Sequence, residues 1–141
     1  MNKMKKFWEN KTVLISGHTG FKGTWLSLWL MQMGSKVYGI SLEDSVSNPN
    51  FYSLIADKEI NDFRANINDS RKIEKIVINA SPDIIFHLAA QPLVRDSYLN
   101  PAETYKTNVL GTVNLLDAAR KSKNTQSIVI ITSDKCYLNT E

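Results

Sequence analysis

Short apolar runs at residues 13–15, 36–41, 62–67, 84–88 and 127–132 alternate with longer stretches whose apolar residues recur at helical spacing. This order leaves few folds open to the chain. Runs such as Val13-Leu14-Ile15 and Ile84-Ile85-Phe86-His87-Leu88 are continuously apolar or nearly so, the signature of strands buried on both faces. Such strands, separated by helices, predict a parallel sheet covered on both sides, and right-handed crossovers make it doubly wound. The expected fold class is α/β. Any ligand then sits beyond the carboxyl ends of the strands, so the informative residues should follow each strand.

Between the strands, residues 23–33 place Trp25, Leu26, Leu28, Trp29, Leu30 and Met33 on a wide apolar helix face, with Gly34 at its C-terminal cap. Asn48-Pro49-Asn50 marks a turn, and residues 51–56 suit one short helix. Residues 69–79 carry Ile73, Ile76 and Val77 at helical spacing behind the N-cap candidates Asn68 and Asp69. Pro101 opens a long helix to about Lys121, for which Tyr105, Val109, Thr112, Val113, Leu116 and Ala119 read as the inward face.

Composition narrows the class. With 141 residues, 43% hydrophobic and 22% charged, the chain has the length of one domain and too much apolar content for disorder. The single cysteine, Cys136, cannot form an internal disulfide, which fits a reducing compartment. The net charge of +3 gathers at Lys3, Lys5, Lys6 and Lys11, a solvated terminus and no nucleic-acid arm. Glu9, Asn10 and Lys11 interrupt any signal-like segment, and residues 25–33 fall short of the roughly 20 that a membrane span needs. A cytoplasmic protein with no nucleic-acid or membrane partner and no metal is expected.

The strongest local motif follows the first strand: Gly17-His18-Thr19-Gly20-Phe21-Lys22-Gly23, spaced G-x-x-G-x-x-G. Gly17 can make the tight turn, Gly20 lets the backbone approach a pyrophosphate, and Gly23 lets the helix pack close to the sheet. Lying between a strand and an apolar helix, the motif points to dinucleotide binding, with the helix amino terminus facing the phosphates.

The string GHTGFKGTWLSLWL resembles the extended, sugar-nucleotide branch of the short-chain dehydrogenase/reductase superfamily, and within it the CDP-glucose 4,6-dehydratases. HLAAQPLVRDSYLNP after the fourth strand and ITSDKCYLN after the fifth resemble the same family, and the likeness runs from about Phe7 to Glu141. It implies a Rossmann-like NAD(P)-binding domain in which Gly17, Thr19, Gly20, Phe21, Lys22 and Gly23 form the phosphate loop. By the same resemblance Leu88, Ala89 and Ala90 line the cofactor site and Asn108 supports the active-site lysine through water. Asn66-Ile67 matches the family's adenine-holding Asp-Ile pair, although Asn66 equally suits an Asx turn. Ser41 stands where an acid often binds the adenosine ribose; NAD is the family expectation, but a serine does not repel a 2′-phosphate, so NADP stays open. Arg95 and Tyr98 divide evenly between ligand contact and a solvated loop. His87, closing an apolar strand, reads as a satisfied core histidine.

In the resembled enzymes the sugar is oxidised at carbon 4, water leaves across carbons 5 and 6, and the hydride returns to carbon 6. The resemblance assigns Ser133 to the reacting alcohol, Thr132 to its support and Asp134 to the departing hydroxyl as general acid. Lys135 stands where the related dTDP-glucose enzymes carry a glutamate base. It acts either as a neutral base or as a cation beside an enolate.

The superfamily's Tyr-x-x-x-Lys pair is missing. Four positions after Tyr38, Tyr52, Tyr98, Tyr105 and Tyr137 stand Leu42, Ala56, Ala102, Val109 and Glu141. Residues 1–141 are therefore expected to be the amino-terminal part of the NAD(P)-binding domain, inactive alone, with the substrate-binding region absent. At full length a homo-oligomeric enzyme acting on CDP-glucose is expected. The alternatives are a non-enzymatic dinucleotide-binding module, or a related epimerase or reductase, which Asp134-Lys135 disfavours.

Overall fold

A computed structural model describes residues 3–42, 59–133 and Leu138. The turn at Asn48-Pro49-Asn50 and the helix expected at 51–56 lie outside the described residues, as do Asp134 and Lys135.

Five parallel strands, β1 (Thr12–Ser16), β2 (Lys36–Ser41), β3 (Asn61–Arg64), β4 (Ile84–His87) and β5 (Ser127–Ile130), form one sheet in the order β3-β2-β1-β4-β5. The chain winds outward from β1 in one direction, then returns to place β4 on its other side. β1 is thus central, and its side chains alternate between two cores. Leu14 enters a cluster with Ile40, Ile85, Ile73, Val77 and Leu115, while Val13 and Ile15 enter a second with Leu30, Met33 and Val37.

Helices α1 (Lys3–Trp8) and α2 (Phe21–Gln32) cover the second core. The lysine-rich α1 was not apparent from composition; Trp8 anchors it by packing against that core beside Phe86. Gly34 follows α2 with φ 88°, a left-handed position open to glycine at little cost. α3 (Ser70–Ala80) covers the first core, and its N-cap is Asp69, whose carboxylate accepts the Lys72 N–H at 3.0 Å. α4 (Val94–Leu99), α5 (Pro101–Tyr105), a π-helical turn (Lys106–Leu110) and α6 (Gly111–Lys121) complete the set.

The face expected for the 101–121 stretch needs correction. Tyr105, Val109, Val113 and Leu116 are exposed, and the buried positions on α6 are Gly111, Leu115, Ala118 and Ala119. Of the residues expected inward, Ala119 is buried and Thr112 half-buried. A Cβ on Gly111 would lie 2.5 Å from Ile67 Cγ2, so α6 meets the chain after β3 at Gly111, and the face in line with it, through Leu115, Ala118 and Ala119, is the buried one. α2 behaves alike, burying Gly23, Thr24, Ser27 and Leu30 while Trp25 and Trp29 stay exposed. No helix among the described residues is long and apolar enough to cross a membrane.

Candidate functional site

The sheet order reverses between β1 and β4, and the loops after both strands meet there. Gly17 opens the first loop at φ 75°, and its N–H donates to the Ile40 carbonyl at 2.7 Å. A Cβ at Gly17 would stand 2.9 Å from the Ala89 nitrogen, so the two loops touch through backbone. Gly23 sits inside the first turn of α2 with its Cα against the loop itself; an added Cβ would lie 2.7 Å from His18 Cα. Gly20 is the N-cap of α2 and places no side chain over the helix end; among the described residues an added Cβ there would meet only the Gly17 oxygen, at 3.4 Å. The three glycines thus stand in three distinct local geometries.

Beneath the loops run two serine–histidine pairs. Ser16, the last residue of β1, accepts the Leu88 and Ala89 N–H groups on its Oγ, both at 3.2 Å. With its lone pairs so engaged, the hydroxyl donates to His87 Nδ1 at 2.5 Å. His87 Nε2–H then donates to Thr112 Oγ1 at 2.9 Å, and Thr112 donates to the Asn108 carbonyl at 2.7 Å. Burial pushes the His87 pKa down, which keeps the ring neutral as this one-way chain requires. His87 is thus a satisfied, buried link between β1, β4 and α6.

The second pair lies between β1 and β2. Ser41, the last residue of β2, accepts the Thr19 N–H at 3.3 Å and lies 3.0 Å from His18 Nδ1. His18 Nε2 lies 3.1 Å from Asp62 Oδ1 on β3, and Arg64 in turn binds Asp62 Oδ2 at 2.7 and 3.0 Å. His18 is wholly buried. Burial drives its pKa down, outweighing Asp62 and the Ile40 carbonyl, which raise it. The ring fits because Gly39 leaves space for it: a Cβ there would meet His18 Nδ1 at 2.6 Å.

The other expected residues are placed as follows. Asn66 Oδ1 accepts the Asn68 N–H at 2.9 Å, an Asx turn, and Ile67 is buried against Gly111. Asn108, in the π-helical turn, clamps Gln91 from both sides: Oδ1 accepts its N–H at 2.8 Å and Nδ2 donates to its carbonyl at 3.1 Å. Leu88, Ala89 and Ala90 follow β4 beside the glycine loop. Phe21 and Lys22 are exposed in the first turn of α2, and Thr19 is buried. Thr132 and Ser133 are exposed just past β5. Arg95 and Tyr98 fall on α4, where both are exposed.

Ser16, His18, Gly39, Asp62 and Thr112 belong to the site, but sequence reading did not single them out. Only Gly39 carried a usable signal, since an isolated glycine within a strand often marks a close approach.

Comparison with known proteins adds the family. The family model described as GDP-mannose 4,6 dehydratase matches residues 14–140. A CDP-glucose 4,6-dehydratase of Salmonella typhimurium is 48% identical over 97% of this chain, which covers 38% of that protein. GDP-mannose 4,6 dehydratase 2 of Caenorhabditis elegans is 31% identical, with 89% of this chain and 35% of that one covered. Among solved structures, epimerase Mth375 of Methanothermobacter thermautotrophicus shares the fold at TM-score 0.85 and 24% identity, covering 96% of this chain and 39% of its own. The UDP-glucose 4-epimerase of Thermus thermophilus, solved with NAD, gives TM-score 0.72 at 26% identity over 82% of this chain and 35% of its own. The chain thus spans well under half the length of these relatives.

Proposed function

The chain belongs to the GDP-mannose 4,6 dehydratase family, and on that premise we propose that the protein carrying it binds NAD and converts CDP-glucose to CDP-4-keto-6-deoxyglucose. The observation that carries this is the junction of the glycine loop with the chain after β4 at the reversal of strand order, where doubly wound folds bind dinucleotides. The choice of CDP-glucose rests on the 48% identity to the Salmonella typhimurium enzyme.

The residues fit the cofactor. Gly20 offers a side-chain-free approach for a pyrophosphate over the amino end of α2, whose dipole favours negative charge. Ser41 ends β2 where the adenosine ribose is expected, and the Asn108–Gln91 clamp fixes the chain after β4. Bound here, NAD supplies a hydride acceptor that later returns the hydride to the sugar. Toward the sugar, Ser133 hydrogen-bonds the alcohol being oxidised, with Thr132 supporting it. Asp134 protonates the departing hydroxyl, and Lys135 acts on carbon 5 as base or stabilising cation. A Tyr-x-x-x-Lys pair supplied outside residues 1–141 takes the alcohol proton. By itself the 141-residue chain is expected to show no turnover, and the whole enzyme to be a homo-oligomer.

The test incubates the natural, full-length protein with NAD and CDP-glucose, with UDP-glucose and GDP-mannose in parallel. A keto-deoxy sugar forming fastest from CDP-glucose supports the reading. Faster conversion of either other sugar nucleotide refutes the substrate assignment, and no conversion of any refutes the activity.

A further inference from the structure

Ser41, the last residue of β2, stands where an acid ordinarily accepts a hydrogen bond from the adenosine ribose, and Glu43 and Asp44 follow outside the described residues. A hydroxyl can donate as well as accept, so by itself it is a poor copy of a carboxylate. Its surroundings remove that ambiguity. Asp62, ion-paired with Arg64, can only accept, and its Oδ1 stands 3.1 Å from His18 Nε2. The Ile40 carbonyl also attracts the ring proton, but the charged Asp62 carboxylate attracts it more strongly, so the single proton of a neutral His18 ring is assigned to Nε2. His18 Nδ1 is left as an acceptor, and Ser41 Oγ, 3.0 Å away, must donate to it. One Ser41 lone pair takes the Thr19 N–H. The other can only accept.

We infer that His18 and Asp62 are positioning residues that convert Ser41 into an obligate hydrogen-bond acceptor for the 2′-hydroxyl of the cofactor's adenosine ribose, a neutral counterpart of the acid common at this position. The inference rests on the dinucleotide reading proposed above. It assigns a role in cofactor specificity to a side chain of the glycine motif that the motif leaves unspecified, and to a strand residue outside it. Gly39 belongs to the same device, because only a residue without a Cβ leaves space for the His18 ring.

The test has two readouts on the natural, full-length protein. Nitrogen-15 NMR of the histidine rings reports the His18 tautomer directly; the expected result is a protonated Nε2 and an unprotonated Nδ1. Calorimetry then compares NAD with its 2′-deoxyadenosine analogue. The wild type should prefer NAD by about tenfold, the worth of one hydrogen bond. Ser41→Ala should abolish the preference. Asp62→Asn, whose amide can also donate to Nε2, should mix the tautomers and reduce it to about threefold or less, with both variants keeping the wild-type circular dichroism. A proton on Nδ1 in the wild type overturns the inference, as does a preference for NAD that survives both substitutions. Failure to bind any dinucleotide refutes the cofactor reading itself, and the inference falls with it. Binding of NAD and the deoxy analogue with equal affinity leaves the cofactor reading standing and overturns this inference alone.

Discussion

Replacing Gly23 by alanine separates the structural role of one glycine from the binding role of another. A Cβ at Gly23 would lie 2.7 Å from His18 Cα and 2.9 Å from the Gly17 carbonyl carbon, and closer still to the Gly17 oxygen. Unstrained carbon contacts need about 3.5–4.0 Å, so α2 must retreat by roughly 1 Å. Both obstructing groups are main chain, and no rotamer can relieve them. Alanine gains about 0.5–1 kcal/mol of helix preference over glycine, while overpacking of this kind costs about 1–3 kcal/mol. Taking the upper end of that range, because backbone blocks backbone, the net loss is about 2 kcal/mol, or roughly 6–8 °C in Tm. At Gly20 the nearest atom of the described residues to an added Cβ is the Gly17 oxygen, at 3.4 Å. Gly20→Ala should then cost less than about 1 kcal/mol, mostly through a poorer N-cap. Its methyl group nevertheless stands over the helix end, so NAD affinity should fall at least about tenfold. Differential scanning calorimetry and titration calorimetry on the two variants decide the matter. A Gly23→Ala protein as stable as wild type, or a Gly20→Ala protein equally destabilised, would refute the reasoning.

Gly39→Ala should destabilise by about 1–3 kcal/mol by crowding the His18 ring, and adding His18→Ala should recover part of the loss; strictly additive denaturation energies would contradict the contact. His18 and His87 both have depressed pKa values in the folded state, so the unfolded chain binds more protons. Stability should therefore hold above about pH 6.5 and fall as pH drops below it, by at most about 1.4 kcal/mol per histidine per pH unit, and urea midpoints flat from pH 7.5 to 5 would exclude this. Asn108→Ala leaves the Gln91 N–H and carbonyl without their partner, which should cost about 1–3 kcal/mol and increase amide exchange at residues 89–92. Unchanged exchange there would show that the clamp is dispensable.

What could be read in the sequence was what repeats or clusters locally. The strand core of β1 and β4 was legible because burial on both faces leaves only apolar residue types, and the glycine loop because its three backbone demands fall within seven residues. β3 was expected over 62–67 but spans Asn61–Arg64; the Ala65 N–H still pairs with the Ser41 carbonyl at 2.9 Å, and the chain then turns at Asn66. The face of α6 differs from the one expected because periodicity weighs hydrophobicity, which Val109, Val113 and Leu116 supply, whereas Gly111, whose lack of a Cβ lets the helix meet Ile67, sets the buried face through Leu115, Ala118 and Ala119. His18 escaped notice because its partners, Ser41 and Asp62, lie 23 and 44 residues away and come together only through the pairing of β1, β2 and β3.

Ser16 ties β4 to β1 just beyond their last paired residues, through its own carbonyl and its hydroxyl together. In doubly wound sheets the connections from the two strands at this point leave toward opposite faces of the sheet, which opens the crevice that takes the ligand. Here the base of the crevice is fixed by part-buried hydrogen bonds of 3.0–3.2 Å before any ligand arrives. A ligand settling on it has little main chain to immobilise there, so the ordering cost that commonly weakens loop-built sites is small at this depth. Whatever conformational adjustment accompanies binding then falls to the chain above this floor.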